Sequence, residues 1–194
     1  MIIYLIRHGE STSDIDNLYG GSYDDHLTEN GKAQTQKLAG KLADSGIQII
    51  FSSPFIRAKE TSDILKDVFN CDVNLVEGIR ERNSCGFLTG TSKEKARAEY
   101  PELVNKLKDY LFTIKGGEKY EDFTNRIYNA FNEITSSKYG KIAIVSHGGP
   151  IRCLFRSVLN FGELSDDLGD CAIIELEKND LNFKIVNIDG AVLA

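Results

Sequence analysis

Two of the three histidines, His8 and His147, each sit beside glycine in a polar run, Arg7-His8-Gly9-Glu10-Ser11 and Ser146-His147-Gly148-Gly149. A third polar run, Ser52-Ser53-Pro54-Phe55-Ile56-Arg57, carries an arginine. The chemistry that would use such a set is phosphoryl transfer, which needs a nucleophile in line with the leaving oxygen and cations on the other three oxygens. An imidazole with an ordinary pKa of about 6.5 is substantially unprotonated near neutral pH and can attack phosphorus. Arg7 and Arg57 could then hold the phosphoryl oxygens by charge-assisted hydrogen bonds, with helix N-termini favouring the same anion.

Each run follows a short apolar segment that reads as a strand: Ile2 to Ile6, residues 47 to 51, and Lys141 to Val145. In an open α/β sheet the carboxyl ends of strands form the ligand crevice, so three exits would deliver their residues to one place. Between the strands the pattern predicts a helix from Thr28, as N-cap, to about Ser45. A second is predicted from Ser53 as N-cap with Pro54 in the first turn, and a third from Glu118 to about Ser137. Asp72 to Val76 reads as another strand, and Pro150 as the start of a further helix. Residues 171 to 176 and 183 to 188 read as a hairpin around Lys178-Asn179-Asp180. The expected fold is one α/β domain over residues 1–194, with a mostly parallel central sheet and helices on both faces. The segment of about 81–116, with helical composition from Ser92 to Lys115 broken before Pro101, is expected to be a helical lid. From Arg80 to Lys108 it holds seven basic and four acidic residues, which could steer an anion or simply form a solvated face.

The ordered motifs resemble those of the histidine phosphatase (phosphoglycerate mutase-like) superfamily. Leu5-Ile6-Arg7-His8-Gly9-Glu10-Ser11 is similar to its opening signature, followed by Asp25, Leu27-Thr28, Gly31 and Gln34. Residues 52–61 are similar to its second arginine motif, and Ile144 to Gly149 with Ile151-Arg152 to its second histidine motif. The resemblance implies a metal-independent phosphomonoesterase without a cofactor, phosphorylated on His8 and acting on a small phosphorylated metabolite. Arg7, Arg57 and His147 would bind the phosphoryl group, helped by Ser11 and Gly148. Glu81, in a loop similar to the family's acid-bearing loop, would serve as general acid and then base. A glutamate between Arg80 and Arg82 is otherwise an ordinary surface ion pair. Two positions depart from the family: Asp14 stands where Asn is common, and Leu18 where many members carry a cation. The first calls for a cation such as Arg7 beside it or a rearranged pocket; the second argues against phosphoglycerate as substrate.

Other classes leave marks that are absent. None of Cys71, Cys85, Cys153 and Cys171 has an arginine six positions on, so a cysteine phosphatase is excluded. Asp14-Ile15-Asp16 does not leave its strand directly, as an aspartate phosphatase would require. Neither a Walker loop nor a metal-protease histidine spacing occurs. A mutase returning the phosphoryl group to a second hydroxyl, or an inactive binding protein of the same fold, remain the alternatives. A net charge of -6 disfavours nucleic acid and anionic membrane as partners. The sparse cysteines suit reduced thiols, and the opening apolar run is too short for a membrane span, so a cytoplasmic location is expected.

Overall fold

The computed structural model describes residues 1–165 and 168–193. In chain order the elements are β1 (Ile2–Arg7), α1 (Thr12–Ile15), α2 (Glu29–Lys41), β2 (Ile49–Ser52), α3 (Ile56–Phe69) and β3 (Asp72–Leu75). They continue with α4 (Lys93–Glu99), α5 (Pro101–Lys106), α6 (Tyr120–Thr135), β4 (Lys141–Ser146), α7 (Gly148–Cys153), β5 (Ile173–Asn179) and β6 (Asn182–Asp189). A π-helical turn, Leu154–Val158, follows α7. The six strands form one sheet in the order β3-β2-β4-β1-β5-β6. The β1–β4, β2–β4 and β2–β3 pairs are parallel, and the terminal hairpin adds β5 and β6 antiparallel beside β1.

Strand alternation sorts the core into two layers. Ile3, Leu5, Ile49, Ile142, Ile144, Ile174 and Leu176 face one side, where α6 contributes Phe123, Ile127, Phe131 and Ile134. Tyr4, Ile6, Ile50, Ala143, Val145 and Ile173 face the other, under Leu38, Ala39 and Leu42 of the α2 end and Ala58 and Leu65 of α3. This is the single α/β domain with helices on both faces that the sequence predicts.

Element starts differ from expectation where side chains are drawn elsewhere. α3 begins at Ile56, not Pro54, because the Ser53 amide extends the sheet ladder to the Val145 carbonyl and the Ser53 hydroxyl engages His147. Asp24 takes over as the cap, its Oδ1 accepting from the Ile56 amide at 2.6 Å. α7 begins at Gly148, two residues before Pro150, which sits in the first turn where a missing N–H costs nothing. α2 stops at Lys41 rather than Ser45, α6 runs from Tyr120 to Thr135, and β2 is shifted to Ile49–Ser52. The hairpin turn is Asp180-Leu181.

The segment expected to be a lid carries the two short helices α4 and α5, separated at Tyr100 before Pro101. It has a small apolar cluster of its own, Leu88, Ala96 and Ile114, against which Tyr19 packs. The four cysteines are free. No helix among the described residues is long and apolar enough to cross a membrane.

Candidate active site

Sheet register creates the site. Arg7 lies opposite Ser146 in the parallel β1–β4 ladder, so the next residues, His8 and His147, leave the sheet side by side. The His8 amide continues the ladder to the Ser146 carbonyl at 3.1 Å, and the two imidazole centroids are 5.0 Å apart. On the opposite flank of β4, β2 ends at Ser52, opposite Val145, and leads through Ser53 to Arg57 in the first turn of α3. The turn after His8 is held by backbone-to-backbone packing: a Cβ on Gly31 would stand 2.1 Å from the Glu10 carbonyl oxygen, and one on Gly9 would stand 2.6 Å from that of Gly31. Only glycine permits the start of α2 to lie this close.

The hydrogen bonds of His8 define its protonation. Its Nδ1 lies 2.7 Å from the Gly9 carbonyl oxygen, which can only accept, so Nδ1 carries the proton. Nε2 is left with its lone pair, toward which Arg57 Nε donates at 3.1 Å. Burial, then the charges of Arg57 and Arg7, push the pKa of His8 down to about 3. His147 is fully buried; its Nε2 is 2.7 Å from Ser53 Oγ, and its Nδ1 has no hydrogen-bond partner among the described residues. Burial, followed by the charge of Arg57, holds it well below the ordinary imidazole value.

Carboxylates fix the arginines. Asp25 Oδ1 accepts from Arg57 Nη1 at 2.7 Å, and both side chains are nearly inaccessible. Burial alone would raise the Asp25 pKa, but the Ser13 amide and Arg57 outweigh it and hold the carboxyl below its usual range. Arg7 donates to the Leu168 carbonyl at 2.6 Å and lies 3.2 Å from Asp170 and 3.7 Å from Asp14. Asp14 therefore does face Arg7, and it also accepts from the Ser11 amide and hydroxyl at 3.0 and 2.8 Å.

Glu81 is anchored by backbone amides, not by its flanking arginines. Its Oε2 accepts from the Gly149 N–H at 3.0 Å, one of the otherwise unused donors in the first turn of α7, and its Oε1 accepts from Arg82 N–H at 2.7 Å. Arg126 of α6 holds the loop from outside, donating to the carbonyls of Gly78, Arg80 and Glu81 and pairing with Glu118. Arg82 is buried and donates to the carbonyls of Tyr110, Phe112 and Glu118, tying the loop to the segment that follows.

The result is a cleft of about 470 Å³ lined by Arg7, His8, Ser11, Arg57, Glu81 and Gly148, together with Asp14, Ser84, Gly149 and Arg152. Every residue expected in the site lines this cleft except His147, which packs edge-on against His8 without reaching the surface. Leu18 is bridged to Ser92 and lies outside the lining, as do Tyr19, Tyr23 and His26; His26 pairs with Glu60 at 2.7 Å. Among the described residues no group of three or more His, Cys, Asp or Glu side chains is arranged to hold a metal ion. Asp170, Arg82 and Arg126 were not foreseen as part of the site's framework. No local motif marks them, since each acts through a backbone or a partner distant in sequence.

Residues 3–189 match the histidine phosphatase superfamily (branch 1), and the chain belongs to that family. Among curated relatives, the probable phosphoglycerate mutase GpmB of Salmonella paratyphi B is 27% identical over 186 residues, covering 90% of this chain and 84% of the relative. Bacillus stearothermophilus YhfR superposes with a TM-score of 0.86 at 23% identity, covering 98% of this chain and 97% of the other. The Shigella flexneri alpha-ribazole phosphatase gives 0.85 at 22% identity, covering 98% and 96% of the two chains. A mycobacterial glucosyl-3-phosphoglycerate phosphatase solved with VO3 gives 0.82 at 22% identity, with 96% and 97% covered. These structures share the phosphoglycerate mutase-like fold.

Proposed function

We propose that the protein is a metal-independent phosphomonoesterase that forms a phosphohistidine on His8 and releases inorganic phosphate from a small phosphorylated metabolite. The observation that carries this reading is the Nδ1–H bond of His8 to the Gly9 carbonyl, which leaves Nε2 as a lone-pair nucleophile on a cleft flanked by Arg7 and Arg57. The low pKa keeps that lone pair available across the neutral and mildly acidic range. Nε2 attacks phosphorus while the bond to the leaving oxygen breaks, and Glu81 gives that oxygen its proton. Water then attacks the phosphohistidine, Glu81 takes the proton back, and His8 is restored.

Arg7 and Arg57 neutralise the phosphoryl oxygens, Arg57 exchanging its bond to His8 Nε2 for one to the substrate. The unpartnered Nδ1 of buried His147 supports a role as a further hydrogen-bond donor to the phosphoryl oxygens. If the Ser53 hydroxyl, itself accepting from the Phe55 amide, donates to His147 Nε2, the imidazole proton resides on Nδ1. Ser11 and Gly148 complete the oxygen-facing wall. The segment of about 81–116 acts as the lid over the leaving group.

The test is hydrolysis of para-nitrophenyl phosphate and of an alkyl phosphate by the wild type, His8→Ala and Glu81→Gln, each with and without EDTA. His8→Ala should lose turnover by orders of magnitude on both substrates. Glu81→Gln should lose much more on the alkyl ester, whose leaving oxygen needs a proton, than on the nitrophenyl ester. Activity abolished by EDTA overturns the metal-free reading; equal losses in Glu81→Gln overturn the acid assignment. The mutase names of curated relatives favour a second reading, return of the phosphoryl group to another hydroxyl of a sugar acid. Isomerised phosphoglycerate without phosphate release would establish it.

A further inference from the structure

A second chamber of about 210 Å³ adjoins the cleft, and the two share Glu81, Ser84, Gly149 and Arg152 as a common wall. Its remaining lining combines the apolar and aromatic Leu107, Tyr110, Phe112, Tyr120 and Phe123 with the charged Arg82, Lys108, Asp109 and Arg156. The Tyr110 and Tyr120 rings lie 4.8 Å apart. Most charges on its walls are already spoken for. The Arg156 guanidinium stacks 3.9 Å from the Tyr110 ring centroid and pairs with Glu163, and Arg82 is committed to three backbone carbonyls. Lys108 and Asp109 are exposed, where water screens their charges, and the Asp109 carboxylate accepts from the Leu111 amide at 2.9 Å.

An acid must lie within hydrogen-bond reach of the oxygen it protonates. Resting on the phosphatase reading above, a phosphoryl group on His8 directs the ester oxygen to Glu81 and the group beyond it into this chamber. We propose that the chamber is the leaving-group subsite and that it takes a planar, uncharged aromatic or heteroaromatic group. A cavity of ~150 Å³ with apolar walls suffices for benzene. The chamber therefore has room for one substituted ring or a small fused bicycle, whereas a short polar acid would leave its apolar walls uncovered. Specificity in such a pocket comes from apolar area, with a few polar groups setting orientation.

Calorimetric binding of two non-hydrolysable probes, naphthylmethylphosphonate and methylphosphonate, separates this inference from the question of turnover. The wild type should bind the naphthyl probe at least tenfold more tightly, and Tyr110→Ala should lose most of that difference. Tyr110 is 43% exposed, so its truncation spares the core. Ser84→Phe, which obstructs the common wall, should do the same. Equal affinity for the two probes, no measurable binding of either, or a difference that survives both substitutions overturns the proposal. A tenfold preference alongside an absence of phosphate-ester hydrolysis supports the chamber while sinking the hydrolytic reading.

Discussion

Arg7 stands between two carboxylates, Asp170 and Asp14, at 3.2 and 3.7 Å, although the proposed function has it meet a phosphate dianion. Burial raises the Asp170 pKa against the opposing pull of Arg7, while Asp14 is partly open to water on the cleft side. An approaching phosphate must share Arg7 with Asp14 and feel its repulsion. At a few ångströms in a partly solvated site that repulsion is on the order of 1 kcal/mol. Asp14→Asn keeps an oxygen for the Ser11 amide and removes the charge. Steady-state kinetics on a phosphomonoester should show KM lowered about fivefold; an unchanged or raised KM would mean that the carboxylate does not face the bound anion. The sequence marked Asp14 as anomalous because its motif neighbours are so regular. Asp170 precedes β5 with no motif around it, and only the fold brings it to Arg7.

Helix α6 positions the candidate acid without touching the cleft. Arg126 gathers the Gly78, Arg80 and Glu81 carbonyls of the Glu81 loop and the Glu118 carboxylate, so Arg126→Ala leaves several half-buried acceptors unpaired. A loss of roughly 2 to 3 kcal/mol in denaturant unfolding is expected, together with a disproportionate fall in alkyl-ester turnover as Glu81 loosens. From the other side, a Cβ on Gly149 would stand 2.1 Å from Glu81 Oε1. Gly149→Ala should therefore impair alkyl phosphates well beyond nitrophenyl phosphate, read as the ratio of their kcat/KM values; a uniform loss would point to a general distortion of α7. The strand exits were legible because apolar runs ending in Arg-His-Gly, Ser-Ser-Pro and Ser-His-Gly combine burial with chemistry. The helix starts were less so. Ser53-Pro54 carries every local mark of an N-cap, yet its hydroxyl is claimed by His147 and Asp24 caps the helix instead.

Across the whole molecule, burying neutral imidazoles links stability to pH. The unfolded chain binds a proton at His8 near pH 6.5, whereas the folded chain resists until about 3. Between these values the unfolded state holds more protons, so the stability His8 contributes is complete above pH 6.5 and declines as pH falls toward 3. His147 and Asp25 act in the same direction, Asp25 only below the ordinary carboxylate range. Thermal unfolding from pH 7 to 4 should show a falling midpoint, and His8→Asn should flatten that slope by a share worth a few kcal/mol, to order of magnitude. An identical slope in the variant would remove His8 as the cause. The aromatic chamber lay beyond any sequence reading, because its walls come from the segment near residue 110, the start of α6 and the π-helical turn, each with an unremarkable local pattern.

The β1–β4 ladder also has a consequence for biosynthesis. Residue 8 leaves the ribosome early, but its parallel neighbour cannot form until residue 146 has emerged, and β1 gains its other neighbour only when β5 follows. Until then His8 lacks the His147 ring against it, and Glu81 lacks the Gly149 amide that holds it. On the proposed function a nascent or truncated chain should be inactive, and the first appearance of phosphatase activity during translation would time-stamp closure of the sheet.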